Sequence, residues 1–150
     1  MVNLIQTTSA SIDFQALVKA LDAYLSEKDG DEHAFYTQYN KIDAIKHVIV
    51  AYQNEAPIAC GAIKAFSDEA MEVKRMFVKP ENRGSGIASQ VLKALEQWAK
   101  SLGYTKCVLE TGKRQEAAIA LYQANGYQII PNYGQYIGVD NSVCFEKILS

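Results

Sequence analysis

Arg83-Gly84-Ser85-Gly86 is the run whose residue types and spacing point most directly to chemistry. Val78-Lys79-Pro80-Glu81-Asn82 leads into it, and Ile87-Ala88 opens an amphipathic segment at once. An apolar strand ending at a proline, then a glycine turn, then a helix start, makes a place for a diphosphate. Glycine lets the backbone approach an anion and take dihedrals other residues avoid. The first amides of a helix have no acceptor inside it, and they lie at the positive end of its dipole. A phosphate oxygen answers both, and Arg83 could add a charged fork. The same turn also serves as an ordinary strand-to-helix connection, so its surroundings must decide. Two other nucleotide motifs fit worse. A Walker loop needs Gly-Lys-Ser/Thr where Ile87-Ala88 stands, and a dinucleotide fingerprint needs Gly or Ala where Ser89 stands.

Composition removes other chemistries. The 150 residues are 49% hydrophobic and 21% charged with a net charge of −2. That suits one globular domain with a real core, and it offers no basic field for nucleic acid. Cys60, Cys107 and Cys144 lie far apart and make no CxxC pair, and the odd count speaks against a disulfide framework. Buried packing is their expected role. With only His33 and His47, no metal-ligand spacing emerges, and no metal is expected. The N-terminus lacks a signal-peptide pattern, and no apolar run reaches membrane-span length. A cytoplasmic protein without membrane contact is expected.

The elements that must position the glycine turn follow from periodicity. Val2 to Thr7 reads as a strand. Ser11 is placed to cap a helix in which Phe14, Leu17, Val18, Leu21, Tyr24 and Leu25 recur at helical spacing, with a stop at Asp29-Gly30-Asp31. His33 to Asp43 reads as a loop or short helix. His47–Tyr52 and Ile58–Phe66 form a hairpin, and Met71–Val78 the next strand. From Ile87 to Leu102 one face carries Val91, Leu92, Leu95, Trp98 and Ala99. The other carries Lys93, Glu96, Gln97 and Lys100. Gly103 stops that helix. Lys106–Thr111 is a strand, Gln115–Asn125 a helix, and Tyr127–Ile130 and Ser142–Ile148 the last strands, joined through a loop over 131–136. This order predicts a mixed α+β fold in residues 1–150 as a single domain.

Arg83, Gly86 and Ala88 match the Gln/Arg-x-x-Gly-x-Gly/Ala signature, so the chain resembles the GNAT superfamily of acyl-CoA-dependent N-acyltransferases. Leu121-Tyr122 with Gly126-Tyr127 adds a second matching segment, and the element order matches throughout. The resemblance implies a GNAT-like, mostly antiparallel central sheet flanked by helices, its fourth and fifth strands splayed around the cofactor. It implies that Arg83, Gly84, Ser85, Gly86, Ile87 and Ala88 hold the pyrophosphate of acetyl-CoA. It further implies that the main chain of Met76, Phe77 and Val78 receives the acyl end, with Gln115 and Tyr122 beside it. Many members carry Asn where Gln115 stands, so this chain departs from the pattern there.

Acylating an amine with a thioester makes three demands. The ammonium, with an ordinary pKa of roughly 10, must lose a proton. The carbonyl oxygen must be stabilised as it becomes an oxyanion. The departing thiolate gains from a nearby acid. Glu72 is the expected base; strand alternation sets it on one face with Lys74, Met76 and Val78, and Glu110 is second. Tyr122 is the acid that the resemblance implies. Tyr36, Tyr39, Tyr133 and Tyr136, with Phe35, are expected to wall the acceptor, and His33 and Arg75 could meet an acceptor carboxylate. The implied activity is acetyl transfer from acetyl-CoA to a primary amine of a small molecule or peptide, by direct attack in a ternary complex. A homodimer would be compatible with it. Two alternatives stay open: a non-catalytic CoA-binding or sensory module, and a partner domain recruiting a peptide at the hairpin edge.

Overall fold

The computed structural model of the protein describes residues 2–29 and 44–150. The segment expected as a loop or short helix, with His33, Phe35, Tyr36 and Tyr39, lies outside the described residues. Seven strands form one sheet: β1 (Val2–Thr7), β2 (His47–Gln53), β3 (Ala56–Ala65), β4 (Ala70–Val78), β5 (Lys106–Gly112), β6 (Gln128–Ile130) and β7 (Ser142–Ile148), ordered β1-β2-β3-β4-β5-β7-β6. Every pairing is antiparallel except β4 with β5. Three α-helices are described: α1 (Ile12–Asp29), α2 (Ile87–Ser101) and α3 (Glu116–Ala124). The expected α+β sheet with flanking helices is therefore what the chain forms. Single-turn 3₁₀ helices at Pro80–Asn82 and Gly134–Tyr136 replace what the sequence suggests is loop.

Each face of the sheet buries one helix. Ser11 caps α1, its Oγ accepting the Phe14 amide at 3.2 Å. Phe14, Leu17, Val18 and Leu21 then pack on Val48, Val50, Cys60, Ala62 and Phe77. On the opposite face, Val91, Leu92, Leu95 and Ala99 of α2 pack on Ile49, Ala59, Ile63, Met71, Val73, Cys107 and Leu109. Each of the larger of these side chains, the Val, Leu, Ile, Phe and Met, contributes about 1.5–3 kcal/mol by leaving water. Glu96 departs from its expected place on the solvated face of α2. It is buried, with Lys147 Nζ at 2.8 Å and the Tyr127 hydroxyl donating at 2.9 Å. Periodicity placed it with the polar stripe, but β7 and the chain after α3 supply it with partners that a helical wheel does not show.

One irregularity shapes the sheet. Cys60 pairs with Phe77 and Ala62 with Lys74, so Arg75 and Met76 together stand opposite Gly61. Arg75 takes φ +61°, a left-handed value costing a non-glycine residue about 1–2 kcal/mol. Gly61 is required there: a Cβ would stand 2.6 Å from Met76 Sδ and 2.8 Å from Leu95 Cδ1. The bulge breaks the simple alternation expected of β4. Glu72 and Lys74 face α1, whereas Met76 and Val78 turn to the α2 side. Arg75, which alternation alone would aim at α2, joins Lys74 on the α1 side and pairs with Asp22.

Candidate active site

The glycine turn is built as its sequence demands. Gly84 and Gly86 take φ +84° and +80°, and no atom lies within 4 Å of where a Cβ would stand on either. Gly86 is the N-cap of α2, and the first helical bond runs from the Gln90 amide to Gly86 O at 3.1 Å. The amides of Ile87, Ala88 and Ser89 therefore have no acceptor within the helix. Arg83 does more for the loop than the sequence suggests. Its Nε donates to Val78 O at 2.9 Å, and its Cζ lies 4.8 Å from the centre of the Tyr24 ring. The arginine ties the turn to β4 and stacks on α1, while its outer edge stays exposed.

Beside this loop the two parallel strands part. Pairing of β4 with β5 ends at Glu72–Val108, although both strands run on to Val78 and Gly112. The Lys79 amide returns to Ile58 O on β3, and strand alternation then directs the main chain of Val78 into the opening. A cleft of about 350 Å³ fills that opening, lined by Met76, Phe77, Val78, Arg83, Gly84, Gly86, Ile87, Ala88, Gln115 and Tyr122. Ser85 is not in its wall; its hydroxyl donates to Asn82 O at 3.0 Å. A second cavity of about 110 Å³ lies beyond, lined among others by Glu72, Lys74, Arg75, Glu110, Thr111 and Tyr136. Both cavities share Leu21, Met76, Gln115, Ala118 and Tyr122 as walls. They adjoin along these five residues, Tyr122 among them.

The groups around that junction are electrostatically distinct. Tyr122 is buried, its ring 5.8 Å from that of Tyr127 and 5.9 Å from that of Phe145. Burial first, and then the Glu110 carboxylate, push its hydroxyl above the ordinary phenol value, so it holds its proton. Glu72 is 9% exposed; its Oε2 accepts the Tyr133 hydroxyl at 2.6 Å and its Oε1 lies 3.5 Å from Lys74 Nζ. Glu110 Oε2 accepts the Ser142 hydroxyl at 2.7 Å. Burial raises Tyr136 too, followed by Glu110 and Glu72. No cysteine lines either cavity, and burial pushes Cys60 and Cys107 up to about 12 and Cys144 to about 11.

The structure thus brings most of the sequence candidates to one place and separates two. Tyr136 walls the small cavity, but Tyr133 stands behind Glu72 as a hydrogen-bond donor instead of lining the space. Tyr36 and Tyr39 lie outside the described residues. Sequence reasoning missed Tyr24, Asn82 and Ser89 in the cleft wall and Thr111 in the small cavity. Only the position of Ser89, three residues into the helix after the turn, was legible as a signal.

Residues 14–127 match the family model described as Acetyltransferase (GNAT) family. The chain belongs to the GNAT acetyltransferase family. A relative from Azospirillum brasilense, named IAA acetyltransferase, is 34% identical over 136 residues, covering 89% of this chain and 88% of its own. The uncharacterized N-acetyltransferase YsnE of Bacillus subtilis is 32% identical over 101 residues, covering 66% of this chain and 67% of its own. Among solved structures, a proposed acyl-CoA N-acyltransferase from Klebsiella pneumoniae aligns with a TM-score of 0.84 at 30% identity, covering 100% of this chain and 99% of that one. A GNAT acetyltransferase from Elizabethkingia anophelis, solved with acetyl-CoA bound, shares the fold at a TM-score of 0.69 and 20% identity, over 99% of this chain and 98% of that one. Membership fits a strand-splay cleft with a glycine turn at its mouth. Among the described residues no helix is long and apolar enough to cross a membrane.

Proposed function

We propose that this protein is an N-acetyltransferase that moves the acetyl group of acetyl-CoA to a primary amine of a small molecule or peptide, by direct attack in a ternary complex. The observation that carries this reading is the wall that the two cavities share, with Tyr122 in it. A glycine turn suited to a diphosphate lies at one end and two carboxylates at the other. Acetyl-CoA would lay its diphosphate on the amides of Ile87, Ala88 and Ser89 and its pantetheine arm along the β4 edge that β5 leaves open. The thioester then reaches the shared wall at Met76 and Tyr122. A main-chain amide at the bulge, near Met76 or Phe77, would steady the oxyanion.

Glu72, directly or through a water, takes a proton from the acceptor ammonium. The freed nitrogen attacks the thioester carbon, and a C–N bond forms as the C–S bond breaks. The leaving sulfur takes the proton of Tyr122, which burial keeps in place until then. The second proton of the attacking nitrogen returns to that tyrosinate, directly or through a water, so that neutral amide and CoA thiol leave and Glu72 gives its proton to solvent. Direct attack is supported by the cysteines, whose protonated, buried thiols stand away from both cavities. The presence of both Glu72 and Tyr122 in the walls of the small cavity favours catalysis over a CoA sensor. The test is thiol release from acetyl-CoA across a panel of primary amines, read beside calorimetric CoA binding. Tight CoA binding with no thiol release from any amine would favour the sensor.

A further inference from the structure

The Glu72 carboxylate is held from far along the chain. The connection between β6 and β7 starts two strands away from β4, because β5 lies between β7 and β4 in the sheet. Yet Tyr133 in that connection reaches β4 and donates its hydroxyl to Glu72 Oε2 at 2.6 Å. The connection is tied within itself. Asn132 Nδ2 donates to Tyr136 O and to Val139 O, both at 3.1 Å, and the Tyr136 amide donates to Tyr133 O at 2.9 Å. The Tyr133 ring meets Phe66, just after β3, edge-on with centres 4.7 Å apart, and Tyr136 likewise at 5.9 Å. Backbone bonds and two rings thus leave its hydroxyl little freedom.

A donor held in this way fixes the carboxylate it meets. A free glutamate side chain samples several rotamers, and anchoring one oxygen removes most of that choice. Lys74 Nζ pairs with the other oxygen, Oε1, at 3.5 Å. With Oε2 anchored, the carboxylate stays at the wall of the small cavity and does not swing onto Lys74 as Glu96 does onto Lys147, at 2.8 Å. Burial first, and then the Glu72 carboxylate, push the Tyr133 hydroxyl above the ordinary phenol value, so it remains a donor while amines titrate. Tyr133 is in the wall of neither cavity, and it meets neither the acceptor nor the thioester. The other charged or titratable groups around Glu72, among the described residues, are Lys74 and Arg75 on β4, Lys64 opposite it on β3, Glu110 on β5, Cys144 on β7 and Tyr136, with Asp22 of α1 behind Arg75. The same connection also ends on the second carboxylate: Ser142, which opens β7, donates its hydroxyl to Glu110 Oε2 at 2.7 Å.

We propose that Tyr133 is a positioning residue for the base: its hydroxyl aims the Glu72 carboxylate at the acceptor ammonium and takes no part in the proton transfer. This rests on the acetyltransferase reading above, with Glu72 as base. The proton passes from the ammonium to Glu72 and on to solvent, and Tyr133 keeps its own. A misplacement of about 1 Å in a reacting group can cost about 100-fold in rate, so the orientation of one carboxylate is a measurable quantity.

The test uses the full chain with acetyl-CoA and benzylamine, ethanolamine, glycinamide or tyramine, read by thiol release from neutral pH upwards. Tyr133→Phe keeps the ring against Phe66 and Tyr136 and removes the hydroxyl. Near neutrality its kcat/KM for the amine should fall by about 5- to 30-fold, with the KM for acetyl-CoA within about twofold of the parent. The deficit should shrink as pH rises towards the amine's own value, as for Glu72→Gln, because free amine needs no base. In the Glu72→Gln background the same change should add less than about twofold, since a residue that acts through another loses its effect when the other is gone. Ser142→Ala, beside the second carboxylate, should show no such dependence on pH. If Tyr133→Phe does not fold, Phe66→Leu, at a position 45% exposed, loosens the same ring and makes the same comparison. A deficit equal at every pH, or equal in both backgrounds, overturns the proposal by making the residue a general support. Near-normal kcat/KM in folded Tyr133→Phe overturns it too, and Glu72 remains the base if Glu72→Gln keeps its deficit. Absence of a pH-dependent deficit in Glu72→Gln removes the base first and this proposal with it. Thiol release from none of these amines removes the acetyltransferase reading for primary amines, and the positioning role falls with it.

Discussion

Replacing Gly86 separates the geometry of the diphosphate loop from its charge. Gly86 holds φ +80°, with nothing within 4 Å of where a Cβ would stand, so a side chain meets strain but no clash. Holding an L-residue in this left-handed conformation costs about 1–2 kcal/mol, and Gly86→Gln and Gly86→Glu share that cost. Each should melt about 2–8 °C below the parent, at about 2–4 °C per kcal/mol for a chain of this size. Their difference is one negative charge beside the first amides of α2. A unit charge 4 Å from another is worth about 4 kcal/mol at an effective dielectric of 20 and about 1 kcal/mol in water. The exposed turn lies between these limits, so about 1.5–3 kcal/mol is expected, or about 10- to 100-fold weaker CoA binding in Gly86→Glu than in Gly86→Gln. Calorimetry at low and high salt measures it, and the gap should narrow as salt screens the loop. Equal CoA affinity of the two folded variants at low salt would refute the assignment of the diphosphate to this turn.

Tyr122→Phe keeps the ring against Tyr127 and Phe145 and removes the hydroxyl; turnover should fall by about 100-fold or more with CoA affinity nearly unchanged, measured by thiol release and calorimetry. Near-normal turnover would leave Tyr122 as packing. Glu72→Gln can still accept the Tyr133 hydroxyl but cannot take a proton, so its deficit in kcat/KM should be largest near neutral pH. The deficit should shrink as pH rises towards the acceptor amine's own value, roughly 10, where solvent supplies free amine. Parallel pH profiles with equal rates would move the base role to Glu110 or to water. Gly61→Ala drives a methyl into Met76 and Leu95; urea unfolding should show a loss of about 1–3 kcal/mol, and CoA affinity should fall because Met76 walls the junction. Unchanged stability would mean that β4 and α2 part more easily than their packing suggests.

Local chemistry was legible in the chain itself. The glycine turn, the Ser11 cap, the amphipathic face of α2 and the order of elements along the chain follow from short-range rules that depend on a few neighbouring residues. The family signature at Arg83, Gly86 and Ala88 reads the same way, because anion binding at a helix start needs only local backbone geometry. The tertiary structure alone decided which way β4 faces after Lys74. A bulge is a two-strand property: it arises where Arg75 and Met76 meet Gly61 across the β3 ladder and α2 presses from behind. No periodicity in β4 reveals it, and a one-residue slip reverses every later side chain. The same holds for the burial of Glu96, which depends on Lys147 arriving from 51 positions away. It holds for Tyr133 behind Glu72, 61 positions apart, and for the wall that the two cavities share, with Tyr122 in it. Residue types named the chemistry available to this protein; long-range packing chose which of those groups share a site.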